Sequence, residues 1–329
     1  MTIVFKLAVL FIGGAFSHLS LAEEKLSAPD WSTPERTKVS WHEPSPTKKL
    51  TLVGSSKIYT LEEIDDKYSA PEWFPEQHKP MPEIVKYGKG KRVWACASCH
   101  LASGMGHPES ARLAGLSSNY MQAQMKAFAS GDRNDYSGHM NRMAPLLTLE
   151  ETKEISDWFA SLKPIGWYQV IESEKVPLTL LDKTRMRIEI QHADVADNAP
   201  TEEPLSDRII EIPVNIERVK KRSPIDGFIA YVKPGSLKTG QQLVTTGSGK
   251  TTPCIACHGP DLNGTVIAPN IAGLSPIYTI RQLYSFKNGL RKGQEADAGK
   301  MMSAVSKNFQ QQDIYAIAAY LATLPITTQ

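Results

Sequence analysis

The chain has 329 residues, and its 37 Lys and Arg nearly balance 35 Asp and Glu, for a net charge of +2. That balance excludes a nucleic-acid binder working through a basic field. The length is enough for about two domains, each with its own core. Residues 1–22 read as a secretory signal peptide. Lys6 gives a short positive region, Leu7–Phe16 an apolar stretch, and Ser20-Leu21-Ala22 a small-residue cleavage site. The apolar stretch is too short to span a bilayer, which takes about 20 residues. No later segment approaches that length, so the mature chain is expected to carry no membrane span. Residues 23–84 form an N-terminal extension rich in Pro, Trp and charge, as in Ala70-Pro71-Glu72-Trp73-Phe74-Pro75. This composition suits an extended arm packed by its aromatic rings.

Residues 85–165 read as a helical domain. Its first motif is Cys96-Ala97-Ser98-Cys99-His100. Cys-x-x-Cys-His is the attachment signature of c-type haem. Two thiolates on one turn add to the two vinyl groups, and the adjoining histidine ligates the iron. A thioredoxin-like pair needs no such histidine, and a zinc site needs further ligands at zinc spacing. Downstream, Ser117 is an N-cap, and Tyr120, Gln124 and Phe128 follow four apart on one helical face. Gly131 closes that helix in a left-handed conformation. Thr148-Leu149-Glu150-Glu151 then opens a second helix as a capping box, with Ile155, Trp158, Phe159 and Leu162 as its apolar stripe.

Residues 166–224 break the helical pattern. Val176–Leu181, Arg185–Ile190 and Arg208–Val214 alternate or run apolar like short strands, and the acidic Asp194–Pro204 reads as a loop. A small β-hairpin bridging two domains is the expectation. The basic run Arg218–Arg222 is countered by Glu202, Glu203 and Asp207 and reads as a solvated face. Residues 225–329 form the second domain, around Cys254-Ile255-Ala256-Cys257-His258. The two motifs use all four cysteines, so none remains for a disulfide or another thiolate ligand.

The second domain repeats the first. Cys96 and Cys254 lie 158 positions apart, and the same offset pairs His100 with His258 and Gly115-Leu116-Ser117 with Gly273-Leu274-Ser275. It also pairs Tyr120, Gln124, Phe128, Gly131 and Arg133 with Tyr278, Gln282, Phe286, Gly289 and Arg291. A haem motif alone requires no such match, so the chain contains two copies of one domain. In the last helix, with Ile314, Ile317, Tyr320, Leu321 and Leu324, the offset becomes 162.

A haem iron with one histidine takes a second axial ligand for electron transfer, commonly Met. The first copy offers Met140 and Met143, the second Met301 and Met302. The polar stretch Gly293–Lys300 is the natural place for the extra residues, since loops absorb length change better than helices. Leu147 with Phe309, Glu151 with Asp313 and Trp158 with Tyr320 already hold the 162 register. Met140 and Met302 are therefore the expected axial ligands opposite His100 and His258. His139 is the rival, as a bis-histidine ligand, and His107 reads as a loop residue. Pro269 is placed to give its carbonyl to the ring N–H of His258. Ala111 stands in its place in the first copy, so His100 is expected to be held differently.

The run Cys-x-x-Cys-His-Gly-Pro-Asp-Leu-Asn-Gly, then Pro-Asn-Ile-Ala-Gly, then Tyr278, Gln282, Phe286, Gly289, Arg291 and Met302, resembles the class I cytochromes c. It is most similar to the dihaem cytochromes of the c4 type, closely over residues 225–325 and more loosely over 85–165. The resemblance implies an all-α fold of two tandem cytochrome domains, with an extended N-terminal arm and a small β-hairpin insertion here added. It also implies two covalently bound haem c groups, on Cys96 and Cys99 and on Cys254 and Cys257, and a role shuttling electrons between periplasmic or membrane-bound redox enzymes.

The leading reading is thus an exported, periplasmic electron-transfer protein, not an enzyme, whose partners are a donor dehydrogenase and a terminal oxidase or reductase. A dihaem cytochrome c peroxidase needs an openable distal site with an acid–base residue, and both copies instead offer a methionine. A thiosulfate-oxidising dihaem enzyme with cysteine ligation would need a fifth cysteine. A dedicated cytochrome subunit of a periplasmic dehydrogenase is a further alternative compatible with electron transfer.

Overall fold

The computed structural model describes residues 27–35, 45–190, 200–292 and 296–327. The signal peptide expected at residues 1–22, most of the acidic loop and the start of the glycine-bearing stretch lie outside the described residues. The N-terminal extension carries β1 (Lys49–Thr51), β2 (Ile58–Thr60), α1 (Leu61–Asp65) and α2 (Glu83–Tyr87). The first copy holds α3 (Ala97–His100), α4 (Ser118–Ser130), α5 (His139–Met143) and α6 (Leu149–Ala160). The insertion supplies β3 (Tyr168–Glu172), β4 (Lys175–Pro177), β5 (Thr179–Leu181), β6 (Arg187–Glu189), β7 (Glu202–Pro204), β8 (Ile210–Pro213) and α7 (Ile216–Val219), and β9 (Phe228–Val232) follows at the start of the second copy. The second copy holds α8 (Ser236–Thr246), α9 (Ile255–His258), α10 (Pro276–Lys287), α11 (Ala296–Ser306) and α12 (Gln311–Ala322).

The helices begin where the sequence marks them. Ser117 and Ser275 accept the N–H of Tyr120 and Tyr278, and Pro276 occupies the first turn of α10. Thr148 and Glu151 form a reciprocal capping box at α6. α12 starts with the same device from Gln310 and Asp313. The two final helices match residue for residue at the 162 offset. The extra residues are not all loop, because residues 296–300 already belong to α11.

The all-α expectation is overturned. Among the described residues nine strands form four sheets, with β1 and β2 in the N-terminal extension, β3 to β8 in the insertion and β9 at the start of the second copy. β1 and β2 pair antiparallel beside a small cluster of Leu52, Ile64, Trp73 and Phe74, so this part of the extension is a folded layer and not an extended arm. The insertion is more than a hairpin. β5 and β6 do pair antiparallel, and β4 pairs with β7. The three-stranded sheet has the order β3-β9-β8, with β3 parallel and β8 antiparallel to the central β9. The alternation of β9 explains its position. Phe228, Ala230 and Val232 are buried on one face, while Ile229 and Tyr231 pack on Val176, Leu205, Ile210 and Ile212 on the other. Along that buried face Phe228 joins the core of the first copy and Val232 that of the second. One strand therefore welds the two cores together.

Candidate functional site

Each Cys-x-x-Cys-His segment is a single helical turn. The N–H of His100 donates to Cys96 O at 3.0 Å, and that of His258 to Cys254 O at 2.9 Å. The turn ends on a residue with positive φ: Leu101 at 63° in the first copy, Gly259 at 84° in the second. Three residues on, the roles swap, with Gly104 at 67° and Leu262 at 58°. Both copies thus hold the same backbone course, and a leucine tolerates it where its side chain is buried (Leu101 4 %, Leu262 2 %). Gly264 is fixed by crowding, since a Cβ there would lie 2.7 Å from Asn270 N.

The imidazoles are oriented alike. His100 Nδ1 donates to Ala111 O at 2.7 Å, and His258 Nδ1 to Pro269 O at 2.8 Å. The different hold expected for His100 is not found, because the acceptor is a backbone carbonyl that either residue supplies. Burial lowers the pKa of both histidines, the carbonyl bond opposing it, so each presents a neutral Nε2, the form in which imidazole ligates metal. Burial also pushes the Cys96 thiol up to about 12 and the Cys254 thiol to about 11. All four cysteines are unpaired by disulfides.

A cavity of about 980 Å³ opens beside the first motif, with Cys96, Cys99, His100, Met140, Met143 and His139 among its lining. The structure therefore brings the predicted Cys96, Cys99, His100 and Met140 to one chamber, together with the rivals Met143 and His139. Met143 Sδ receives the Trp94 N–H at 3.3 Å, and the His139 ring packs on Trp94 at 4.6 Å. The Met140 turn is bolted down by Asp135, which accepts the N–H groups of His139 (2.9 Å) and Met140 (3.3 Å). Asn141 adds bonds to Phe128 O and Arg133 O. In the second copy Met302 and Cys254 pack on the same apolar core, whereas Met301 is 51 % exposed.

The cavity suits a haem. Its apolar walls include Leu113, Met121, Phe128 and Phe159. The Tyr136 hydroxyl is buried without a partner, as a group awaiting a polar edge would be. Residues that sequence reasoning missed also belong to the chamber: Trp167 and Met186 from the insertion and Phe228 from β9 line it. Strand-like patterning announced part of that segment but not where it would dock.

The two copies face each other through paired networks. Arg133 donates to Gln124 Oε1, Tyr278 OH and Gln282 Oε1 at 2.8–3.1 Å. Arg291 returns the pattern to Gln282 Oε1, Tyr120 OH and Gln124 Oε1 at 2.7–2.9 Å. Each guanidinium also lies over its own copy's phenylalanine, Phe128 or Phe286, at 4.5 Å. Buried Arg112 spans the seam, donating to Asn270 Oδ1 at 2.7 Å and Ala272 O at 2.8 Å. Desolvation lowers its pKa to about 10, which leaves it charged at neutral pH.

Comparison with known proteins places these features. The family model described as cytochrome c matches residues 87–163 and 237–325, and each matched stretch contains one Cys-x-x-Cys-His turn. A relative named thiosulfate dehydrogenase electron acceptor, from Thiomonas intermedia (strain K12), is 25 % identical over 238 residues, covering 71 % of this chain and 80 % of that protein. Cytochrome c4 of Azotobacter vinelandii is 36 % identical over 83 residues, covering 23 % of this chain and 39 % of that protein. Among solved structures, thiosulfate dehydrogenase (TsdBA) from Marichromatium purpuratum in its as-isolated form aligns with a TM-score of 0.47 and 26 % identity, over 73 % of this chain and 38 % of that one.

Proposed function

Because the chain belongs to the cytochrome c family, an electron-transfer family whose members carry covalently bound haem, we propose that it is a periplasmic dihaem cytochrome. It carries electrons between redox partner proteins through two haems, one held by His100 and Met140 and the other by His258 and Met302. The observation that carries this reading is the duplication of the attachment turn: the same backbone course, an equivalent backbone carbonyl on each imidazole, and a shared seam between the copies. Bound haem supplies a one-electron iron couple.

The chain's own residues do the rest. Cys96 and Cys99, and Cys254 and Cys257, would hold each group by thioether bonds. The Ala111 and Pro269 carbonyls hold each imidazole in one tautomer and one plane, which raises its basicity as a ligand. Leu, Phe, Met and Trp side chains line much of the first site, and a thioether ligand in apolar surroundings would favour a high potential. Met140 and Met302, as second ligands beside His100 and His258, would leave no iron position for substrate.

Haem counting and potentiometry on the purified protein test the proposal. Two haems per chain are expected, both reducible, both low-spin, and exchanging electrons with one another. A single haem, or binding of cyanide to one ferric iron at micromolar concentration, would sink it.

A second reading is a dedicated electron acceptor for one dehydrogenase. The named acceptor that aligns over 71 % of this chain favours it. Stopped-flow mixing with a reduced thiosulfate dehydrogenase separates the two: a dedicated acceptor is reduced rapidly and selectively, a general carrier is not.

A further inference from the structure

We propose that the tip of the β5–β6 hairpin is part of the first haem site, with Arg185 and Tyr136 binding a propionate carboxylate of that haem. This rests on the reading that the cavity beside Cys96 holds a haem. The insertion then acts as a haem-1 wall that sets the charge around one of two otherwise duplicated centres.

The hairpin tip is a built structure. The Asp182 carboxylate accepts from Thr184 N at 2.9 Å, Thr184 Oγ1 at 2.5 Å and Met186 N at 3.1 Å. Arg185 N donates to Asp182 O at 2.9 Å. Pinned from both sides, Arg185 sits at φ 73°, a left-handed conformation that non-glycine residues rarely hold and that tends to mark functional positions. Beyond the tip, Met186 and Ile188 are buried in the core of the first copy. The hairpin is therefore anchored to that copy.

What the tip presents is an unmet demand for an acceptor. Lys183, Thr184, Arg185 and Met186 all line the same cavity as Cys96 and His100. Arg185 Nε and the Tyr136 hydroxyl are both buried without a hydrogen-bond partner, and the Arg185 guanidinium lies 5.7 Å from the Tyr136 ring. Neighbouring cations are already engaged. Arg281, 4.6 Å from the same ring, donates to Ser32 O and Pro108 O, and Arg133 is spent on Gln124, Tyr278 and Gln282. The nearby Glu109 carboxylate contacts His107 at 3.1 Å.

A carboxylate, which only accepts, answers both open donors. Haem c carries its two carboxylates on the edge away from the vinyl carbons that Cys96 and Cys99 fix. Among the described residues the second copy has no hairpin of this kind, and the residue in register with Tyr136 is Gln294, outside the described residues. The cradle thus belongs to one haem. Its guanidinium cation would favour the ferrous state, which carries one positive charge fewer.

The test uses the full-length holoprotein as wild type, Arg185→Gln, Arg185→Lys and Tyr136→Phe. Haem content is counted first, and a wild type with one haem defeats the underlying reading, not this proposal. Spectroelectrochemical titration then resolves the two midpoints. Arg185→Gln is expected to lower one midpoint so that its ferrous-to-ferric ratio at fixed potential falls about tenfold, equal to about 59 mV for one electron. The other midpoint stays, and Arg185→Lys recovers most of the loss. Tyr136→Phe shifts the same midpoint in the same direction and carries the test alone if Arg185→Gln does not accumulate. Unmoved midpoints, or an equal shift of both, would overturn the assignment.

Discussion

Glu211→Gln is expected to remove one contribution to stability that falls as pH rises from 4.5 to 7. Glu211 lies on β8 and is 1 % exposed. Its carboxylate accepts Ser275 Oγ at 2.9 and 3.1 Å and Ile277 N at 2.7 Å, at the start of α10. Burial pushes its pKa from 4.5 up to about 7, against the lowering effect of those bonds. Across that interval the folded chain keeps a proton that the unfolded chain releases, so stability must fall with rising pH. The contribution is whole below pH 4.5 and is lost as pH passes 7. A rise of this size corresponds to about 3 kcal/mol, a large share of a typical domain's total. Exposed carboxylates with lowered pKa values, such as Glu150 and Asp157, act with the opposite sign and below their usual pKa, outside this window. Guanidinium unfolding of holoprotein at constant ionic strength, followed by the Soret band, measures the slope. Glutamine keeps an acceptor for Ser275 and Ile277 and has no charge to desolvate, so the variant should lack this falling component and keep the rise that the lowered pKa values of His100 and His258 contribute. Parallel curves for wild type and variant would refute the reasoning.

Three more outcomes follow from the geometry. Arg133→Met and Arg291→Met should combine non-additively, by 0.5–3 kcal/mol, because each glutamine carbonyl keeps a second guanidinium donor until both are gone; a double-mutant cycle in thermal unfolding with zero coupling counts against the shared network. Met140→Ala and Met302→Ala should each abolish about half of the weak red band of methionine-ligated ferric haem. Met143→Ala and Met301→Ala should leave it, since Met301 is exposed and Met143 is engaged by Trp94; the reverse pattern in absorption spectra would reassign the ligands. Gly240→Ala places a Cβ on the Ala316 carbonyl and 2.7 Å from Tyr320 Cβ, which should pry α8 from α12 at a cost of about 1–3 kcal/mol. Unchanged thermal unfolding of that variant would mean the helices can part freely.

The repeat was legible because side-chain types recur at fixed offsets, and those offsets survive as matched helices, α3 with α9 and α6 with α12. Caps at Ser117, Ser275 and Thr148 were legible for the same local reason. The sheets were not. β3 and β9 pair in parallel across the whole insertion, and nothing near Tyr168 or Phe228 in sequence names so distant a partner. The equal hold on His100 and His258 was misread from side-chain identity, although the acceptor is a backbone carbonyl. Positive φ was also hidden, since Leu101 stands where the second copy has Gly259, and Leu262 where the first has Gly104. Arg112 and Arg185 were not legible because neither has a like residue in register.

That last omission bears on how the molecule works. Two copies of one domain meet most economically through a self-complementary face, with each residue meeting its partner's neighbours. Arg133 on Tyr278 and Gln282, mirrored by Arg291 on Tyr120 and Gln124, is such a face, and it treats the two sites alike. Arg112 bonded to Asn270, its own register partner, lies across the same seam, next to the carbonyls that orient both imidazoles. A strictly symmetric pair would have no built-in direction for electrons. Direction requires different surroundings for the two sites, and these come from segments outside the repeat. The β5–β6 hairpin and Trp167 close on the first site, while Trp31 packs edge-on against Tyr315 of the second at 5.4 Å. The segments least like the rest of the family are therefore the ones positioned to make the two halves unequal.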